Sequence, residues 1–363
     1  MQLYPSLITD ALANVRYPGS GKNLFEAEMV ADDIRIDGDK VSFTLIFDKP
    51  TDPFMKSVVK AAETAIHTYI SPEVKVTVNT TSRQPAPKPL PVLPGVKNII
   101  GVSSGKGGVG KSTVAANLAC ALAREGYKVG LLDADIFGPS IPKMFGIEDE
   151  QLYIHEVDGH PMILPIEVFG VKILSIGFLV DKDKAVMWRG SMASNALKQL
   201  ITEADWGELD YFLIDMPPGT SDIHLTLVQT LAMTGVVVVT TPQEVALADA
   251  RKGIAMFMDD KVNVPILGLV ENMAYFTPAD HPDEKYYIFG KEGGVKLAKK
   301  LGVKLLAQIP LVASIADSGD SGNPIALEDT VTGMAFTHLA HEVTEAVDER
   351  NNTLPPTIKV QVK

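Results

Sequence analysis

A glycine-rich segment carries the clearest chemical signal in the sequence. Residues 105–112 read GKGGVGKS and fit the pattern G-x-x-x-x-G-K-[ST], in which backbone N–H groups wrap a phosphate chain. A strand-like run precedes this segment and a helix-like run follows it, so a helix N-terminus would add its partial positive charge. We expect Lys111 to reach the β- and γ-phosphates and Ser112 to bind Mg²⁺. The predicted nucleotide contacts in this segment are Gly105, Lys106, Gly107, Gly108, Val109, Gly110, Lys111, Ser112 and Thr113.

Three aspartates follow two other strand-like runs. Asp133 and Asp135 lie in LLDADIFGPS, and Asp215 lies in YFLIDMPPGTSD. A carboxylate at the end of an apolar strand beside a phosphate loop can hold Mg²⁺ through water or orient an attacking water. The residues after Asp215, 217–219 (PPG), are typical of a switch loop that senses the γ-phosphate.

Short apolar runs must position these residues. Six of them (VKNIIGVSS, KVGLLDAD, VKILSIGF, YFLIDMP, GVVVVTTP and PILGLVENM) are spread along the chain, and helix-like segments separate many of them. Apolar strands that alternate with helices predict a parallel sheet covered on both faces. Ligands bind at the carboxyl ends of such strands, which is where the candidate residues fall. The expected fold class is α/β, with a mostly parallel sheet in a P-loop NTPase domain.

A proline-rich segment divides the chain. Residues 83–95 (RQPAPKPLPVLPG) contain five prolines, which exclude a helix or a central strand. We therefore predict a linker at 83–95 between a small domain at 1–82 and a P-loop ATPase domain at 96–363. The small domain reads as α+β, with helices at 5–15 and 52–69 and strands at 40–47 and 74–79.

Composition excludes several classes of protein. The net charge of −12 over 363 residues argues against a protein that coats nucleic acid. The single cysteine, Cys120, fits a reducing cytoplasm, and its apolar helical neighbours predict a buried packing role. No signal peptide and no apolar run of membrane-spanning length is found. We expect a soluble cytoplasmic protein without a nucleic-acid or membrane partner.

The phosphate loop resembles that of the MinD and ParA class. Lys106 occupies the position of the second lysine that marks these deviant P-loops, and the resemblance implies a homodimer in which it reaches the partner's nucleotide. The resemblance also implies that Asp135 positions the attacking water, that Asp133 lies close to the metal and that Asp215 is the Walker B carboxylate. The chain has no N-K-x-D motif for guanine. Asn272, in LVENM, instead matches an asparagine that contacts adenine in MinD-like proteins, which favours ATP.

Longer motifs narrow the resemblance. DADIFGPSIPKMFG, VMWRGSM, DMPPGTSD, TTPQEVALAD, VENMAYF and YYIFGKEGG occur in the order typical of Mrp/ApbC proteins, over about residues 96–345. The resemblance implies an iron–sulfur cluster carrier with client or scaffold proteins as partners. The N-terminal domain resembles the small domain that many of these proteins carry.

The chain departs from this family at one place. Most members place a C-x-x-C pair, which bridges a cluster across the dimer, between the NM and YIFG motifs. Here residues 277–280 read TPAD, and nearby His281 and Asp283 could offer only nitrogen and oxygen ligands. A [4Fe–4S] cluster normally needs about four thiolates, whereas a dimer of this chain has one cysteine per subunit. We expect no stable cluster on the chain's own thiols.

Two other functions compete with an assembly factor. A ParA-like partitioning ATPase would need a basic DNA-facing patch, and a MinD-like ATPase would need a basic amphipathic C-terminal helix. The C-terminal segment FTHLAHEVTEAVDERNN instead places Leu339, Val343 and Val347 on one face with acidic residues opposite. We interpret it as a helix packed on its own domain.

Overall fold

The structure, a computed structural model, describes residues 3–49, 52–83, 92–157, 159–179, 190–278, 281 and 284–360. The chain divides into two compact units, Met1–Pro89 and Leu90–Lys363. This division falls within the predicted linker at 83–95, of which residues 84–91 lie outside the described residues.

The first unit combines two helices with a small mixed sheet. Its elements are α1 (Pro5–Leu12), β1 (Arg35–Asp37), β2 (Lys40–Phe47), α2 (Met55–Tyr69) and β3 (Lys75–Ser82). Strand β2 is central, antiparallel to β1 and parallel to β3. Its alternating side chains bury Val41, Phe43, Leu45 and Phe47 against the helices, so the predicted α+β class is confirmed. Helix α1 ends three residues before the predicted limit, because the chain turns toward an isolated bridge between Arg16 and Asn23.

The second unit is built around a large sheet. The strands of this unit are β4 (Val96–Ser104), β5 (Val129–Asp133), β6 (Tyr153–Val157), β7 (His160–Leu164), β8 (Ile166–Val168), β9 (Val171–Ser175), β10 (Leu209–Asp215), β11 (Gly235–Thr240), β12 (Ile266–Glu271) and β13 (Leu305–Gln308). Strands β6 and β7 pair with each other in a separate two-stranded sheet. Its helices are α3 (Lys111–Arg124), α4 (Ile141–Met144), α5 (Gly190–Thr202), α6 (Asp222–Thr230), α7 (Glu244–Met258), α8 (Gly293–Leu301), α9 (Ala313–Asp320) and α10 (Val331–Thr353), with 3-10 turns at Ile176–Leu179 and Ile325–Leu327.

The described part of this sheet has the strand order β13-β12-β11-β4-β10-β5-β9-β8. All neighbours are parallel except β8, which runs antiparallel to β9 at the edge. All six apolar runs form strands of this sheet. One core cluster includes residues of α3 and α10, and another includes residues of α5, α6, α7 and α8. Both clusters include sheet residues, and the mostly parallel α/β fold is therefore confirmed.

Helix α10 illustrates how the C-terminal segment is used. Leu339, Val343 and Val347 are fully buried in the cluster that contains α3.

Among the described residues, no helix combines the length and the apolar character that crossing a bilayer requires.

The sheet brings the candidate residues to one edge. Strands β5, β10 and β4 are neighbours, and Asp215 at the end of β10 is in register with Asp133 at the end of β5. Strand β4 ends at Ser104, just before the glycine-rich segment. Distant parts of the chain therefore meet at the carboxyl edge of the sheet.

Candidate nucleotide-binding site

The glycine-rich segment forms a tight turn between β4 and α3. Gly108 and Gly110 have φ values of +78° and +80°, which glycine adopts far more readily than other residues. A Cβ on Gly105 would lie 2.1 Å from the carbonyl carbon of Asp249 in α7. Gly110 also precedes the first residue of α3, so the loop presents its backbone at a helix N-terminus. This geometry suits a phosphate chain.

Lys111 lies at the centre of a buried charge cluster. Its side chain is 6% exposed, and Nζ lies 2.6 Å from Oδ1 of Asp215 and 3.5 Å from Oδ2 of Asp135. Nζ also lies 3.2 Å from Oγ of Ser112. The structure thus gathers three other predicted site residues around the ammonium group of Lys111.

Asp133 is held by donors from the protein itself. Its Oδ1 accepts the N–H of Asp135 at 3.1 Å, while its Oδ2 accepts the N–H of Ile141 at 3.2 Å and the Ser175 hydroxyl at 2.9 Å. Burial, followed by the nearby carboxylate of Asp215, raises the pKa of Asp133. In this arrangement Asp133 shapes the turn after β5, and a metal would have to compete with three protein donors for its oxygens.

Asp215 is fully buried, and only one of its two carboxylate oxygens accepts a hydrogen bond. Oδ1 accepts a hydrogen bond from Lys111 Nζ, whereas Oδ2 has no hydrogen-bond partner among the described residues. Burial raises the pKa of Asp215, and the Lys111 ammonium opposes that effect. A buried oxygen without a donor is costly, and a metal-bound water would satisfy it. With the hydroxyl of Ser112 close to the same lysine, the residues present fit a Mg²⁺ ion.

Lys106 has the opposite environment to Lys111. It is exposed, and its side chain has no ion-pair partner in the described part of the chain. Its backbone is nevertheless fixed, because its carbonyl accepts the Ser104 hydroxyl at 2.9 Å. The side chain therefore leaves an ordered loop and points a positive charge toward solvent.

The segment after Asp215 is tied to the phosphate loop. Met216 N–H donates to the Val102 carbonyl at 3.0 Å, and Gly219 N–H donates to the Ser104 carbonyl at 2.8 Å. Ser221 then starts α6 through a capping box with His224. Movement of this switch loop would therefore strain or break hydrogen bonds to β4, the strand that precedes the phosphate loop.

A cavity of about 340 Å³ opens beside the start of α3. Asn272 lines it and is 6% exposed; its Nδ2 donates to the Val109 carbonyl at 2.8 Å, which leaves its side-chain oxygen as an acceptor. Sequence reasoning found Asn272 but missed much of the wall. The missed lining residues include Met144, Met273, Pro310, Leu311, Val312, Ile315 and Asp320. The sequence offered one signal for this wall, a proline that directly follows the apolar residues 305–309 (LLAQI).

Sequence reasoning also missed Glu271, which is fully buried at the end of β12. Its Oε1 accepts the Gly294 N–H at 2.6 Å, and its Oε2 accepts the Gln308 side-chain amide at 2.5 Å. These bonds fasten the start of α8 and the end of β13 to the strand that carries Asn272. Glu271 thus supports the wall of the cavity.

The loop in which the sequence resemblance implies a cysteine pair is closed at its base here. Phe276 and Tyr286 exchange two backbone hydrogen bonds of 2.8 Å. Within this loop Ala279, Asp280, Pro282 and Asp283 lie outside the described residues. The described residues contain no group of three or more His, Cys, Asp or Glu that could hold a metal.

Cys120 lies away from this loop on α3. It is fully buried, and burial raises the pKa of its thiol to about 12. The expected packing role fits this environment, since a buried protonated thiol is a poor metal ligand.

The fold and the site together define a P-loop ATPase of the MinD and ParA type. A MinD protein from Pyrococcus horikoshii solved with Mg-ADP is similar at 25% identity and a TM-score of 0.50, over 70% of this chain and 98% of that chain. A nucleotide-binding protein from Archaeoglobus fulgidus solved with ADP is similar at 39% identity and a TM-score of 0.55, over 63% of this chain and 88% of that chain.

Sequence comparison narrows the class to one family. Residues 95–344 match the family described as NUBPL iron-transfer P-loop NTPase, and residues 6–79 match the family described as iron–sulfur cluster assembly protein. The iron–sulfur cluster carrier protein of Synechocystis is 44% identical over 93% of this chain and 97% of its own length. That of Escherichia coli is 54% identical over 65% of this chain and 63% of its own length. The chain belongs to the iron–sulfur cluster carrier family of P-loop NTPases.

Proposed function

We propose that the chain is a homodimeric, slowly hydrolysing ATPase that uses ATP to control the transfer of iron–sulfur clusters to client proteins. The observation that carries this proposal is the contrast between two lysines of one loop. Lys111 is buried within its own site, whereas Lys106 extends from the same loop into solvent. The first is suited to a nucleotide in its own subunit and the second to a nucleotide in a partner.

ATP would lie along the carboxyl edge of the sheet. The phosphates would meet the N–H groups of residues 105–113, and Lys111 would exchange Asp215 for the β- and γ-phosphates. The base would enter the 340 Å³ cavity, where the side-chain oxygen of Asn272 can accept the adenine amino group. Guanine has no amino group at that position, so the arrangement favours ATP over GTP.

Ser112 and Asp215 are the residues that would hold Mg²⁺, Asp215 through water. The ion would neutralise negative charge on the β- and γ-phosphates when bound. We assign Asp133 a supporting part, because its hydrogen bonds set the position of Asp135. Asp135 is 8% exposed and would orient the attacking water. The proposed catalytic residues are therefore Lys106, Lys111 and Asp135.

Lys106 would complete the site across the dimer. A positive charge brought to the partner's phosphates stabilises the transition state of phosphoryl transfer. Hydrolysis would then require the dimer, and a site assembled from two chains is consistent with slow turnover.

The cargo would not rest on this chain's thiols alone. The sequence has one cysteine, and Cys120 is buried among apolar side chains of α3. A cluster carried by the dimer would therefore need ligands from a client or scaffold protein. We also propose a cytoplasmic location. The proposed domain arrangement is a small domain at 1–82, a linker at 83–95 and an ATPase domain at 96–363.

Light scattering tests the dimer directly. The wild type should be monomeric with ADP and dimeric with a non-hydrolysable ATP analogue and Mg²⁺, whereas Lys106→Ala should stay largely monomeric. Lys128→Ala is a matched control, because Lys128 is also exposed but lies just before β5, at the amino ends of the strands and away from the phosphate loop. A wild type that stays monomeric with the analogue would contradict the proposal.

A further inference from the structure

A buried histidine, the capping partner of Ser221, lies next to the switch loop and has no assigned role in nucleotide binding. His224, in the first turn of α6, is 1% exposed, and its ring lies 6.2 Å from that of Phe257 in α7. No solvent reaches it, so its hydrogen bonds must come from the protein.

The hydrogen bonds of His224 define its tautomer. Nδ1 accepts the backbone N–H of Ser221 at 3.1 Å, so the ring proton must reside on Nε2 when the ring is neutral. Burial lowers the pKa of His224 to about 4, and the charge of Lys111 contributes to the same effect. The ring is therefore neutral near pH 7, with one N–H group on Nε2.

That N–H group has no acceptor. Nε2 is buried without a hydrogen-bond partner among the residues that the structure describes. The carbonyl of Pro217 is close enough to raise the pKa of His224, although the pair does not meet the geometry of a hydrogen bond here. Pro217 is the first residue of the switch loop and Ser221 is the residue after which α6 begins, so the ring faces both ends of the loop.

We propose that His224 is a positioning residue that clamps the switch loop in the ATP-bound state, with Nε2–H donating to the Pro217 carbonyl once the loop closes on the γ-phosphate. Nδ1 keeps its bond to Ser221 in both states. Because the second bond forms only in the closed loop, it favours ATP over ADP. This inference rests on the proposed ATP-dependent function and adds a residue to it.

Two substitutions separate the clamp from simple packing. Phenylalanine keeps an aromatic ring at this position but has neither hydrogen-bonding group, whereas glutamine offers an acceptor and an N–H donor. His224→Phe should bind a non-hydrolysable ATP analogue about fivefold more weakly than the wild type and bind ADP equally well. His224→Gln should regain most of the affinity for the analogue.

Calorimetry with both nucleotides and Mg²⁺ gives a clear decision. If His224→Phe loses affinity for ADP and the ATP analogue by the same factor, or loses neither, the clamp is refuted. A wild type that fails to bind the analogue would instead refute the proposed ATP function.

A spectroscopic measurement on the wild type tests the clamp without comparing the affinities of variants. With ¹⁵N-labelled histidine, the ATP analogue should slow solvent exchange of the His224 Nε2–H relative to ADP. The resonance is assigned by its loss in His224→Gln. Equal exchange with the two nucleotides would overturn the proposal.

Discussion

The Nζ atom of Lys111 lies 2.6 Å from Oδ1 of Asp215, and neither side chain is more than 6% exposed. The two residues are 104 positions apart and meet because β4 and β10 are neighbours in the sheet. Each partner compensates the other's buried charge, so the pair holds the phosphate loop and the switch loop together. When ATP binds, Lys111 would leave Asp215 and contact the phosphate oxygens instead.

Removing the lysine should weaken ATP binding. Lys111→Ala deletes the cation that faces the terminal phosphates, and a charge-assisted hydrogen bond is worth about 1.5–3 kcal/mol. Calorimetry should show at least about a tenfold loss of ATP affinity. Equal ATP affinity for the variant and the wild type would show that the phosphates bind elsewhere.

Breaking the ion pair from the other side should destabilise the protein. Asp215→Asn leaves the Lys111 charge buried without its nearest carboxylate, which typically costs about 3–5 kcal/mol. Denaturant unfolding without nucleotide should show the loss. Asp135→Asn serves as the matched control and should cost less, because its carboxylate lies 3.5 Å from Nζ and is slightly exposed. The same loss in both variants would mean that Asp215 has no special role.

Asp135→Ala should separate ATP binding from hydrolysis. The variant keeps Lys111, Lys106 and the phosphate loop but lacks the carboxylate that would orient water. We expect it to bind ATP and accumulate as a dimer with turnover reduced at least about a hundredfold. Light scattering and a phosphate-release assay check this, and full turnover would remove Asp135 from the catalytic set.

Anaerobic reconstitution with iron and sulfide tests the cargo proposal. The wild type alone should retain no stable cluster after desalting, because Cys120 would have to leave the buried face of α3 to bind iron. Cys120→Ser should behave in the same way. About four irons per dimer retained in both proteins would indicate ligands other than thiols. Retention only in the wild type would mean that Cys120 is a ligand.

The pH dependence of stability should report the neutral state of His224. Its pKa falls from an ordinary value of 6.5 to about 4 in the folded protein, so protonation is easier in the unfolded chain. The stabilisation is fully present above pH 6.5 and is lost as the pH falls toward 4, at up to about 1.4 kcal/mol per pH unit.

Comparison with His224→Gln isolates this contribution, because the acidic side chains titrate alike in both proteins. Between pH 6.5 and 4 the free energy of unfolding should fall more steeply for the wild type. Parallel curves would place the folded pKa of His224 near its ordinary value.

The phosphate loop and the sheet that carries it could be predicted from the sequence, because both depend on local properties. Glycines at the positions of Gly108 and Gly110 permit a left-handed backbone, and a buried parallel strand is a continuous apolar run such as β11. The order of motifs also indicated the family, which sequence comparison confirms.

Long-range packing decided the rest. Nothing in the local sequence of Asp133 indicates that the hydroxyl of Ser175, 42 residues later, donates a hydrogen bond to its carboxylate. Nothing in the sequence around Asn272 indicates that residues 310–315 form the wall beside it. The unpaired N–H of His224 is equally invisible in the sequence, because it depends on which acceptors the folded switch loop brings near. Sequence motifs determine which groups can react, whereas the register and order of the strands determine which of those groups become partners.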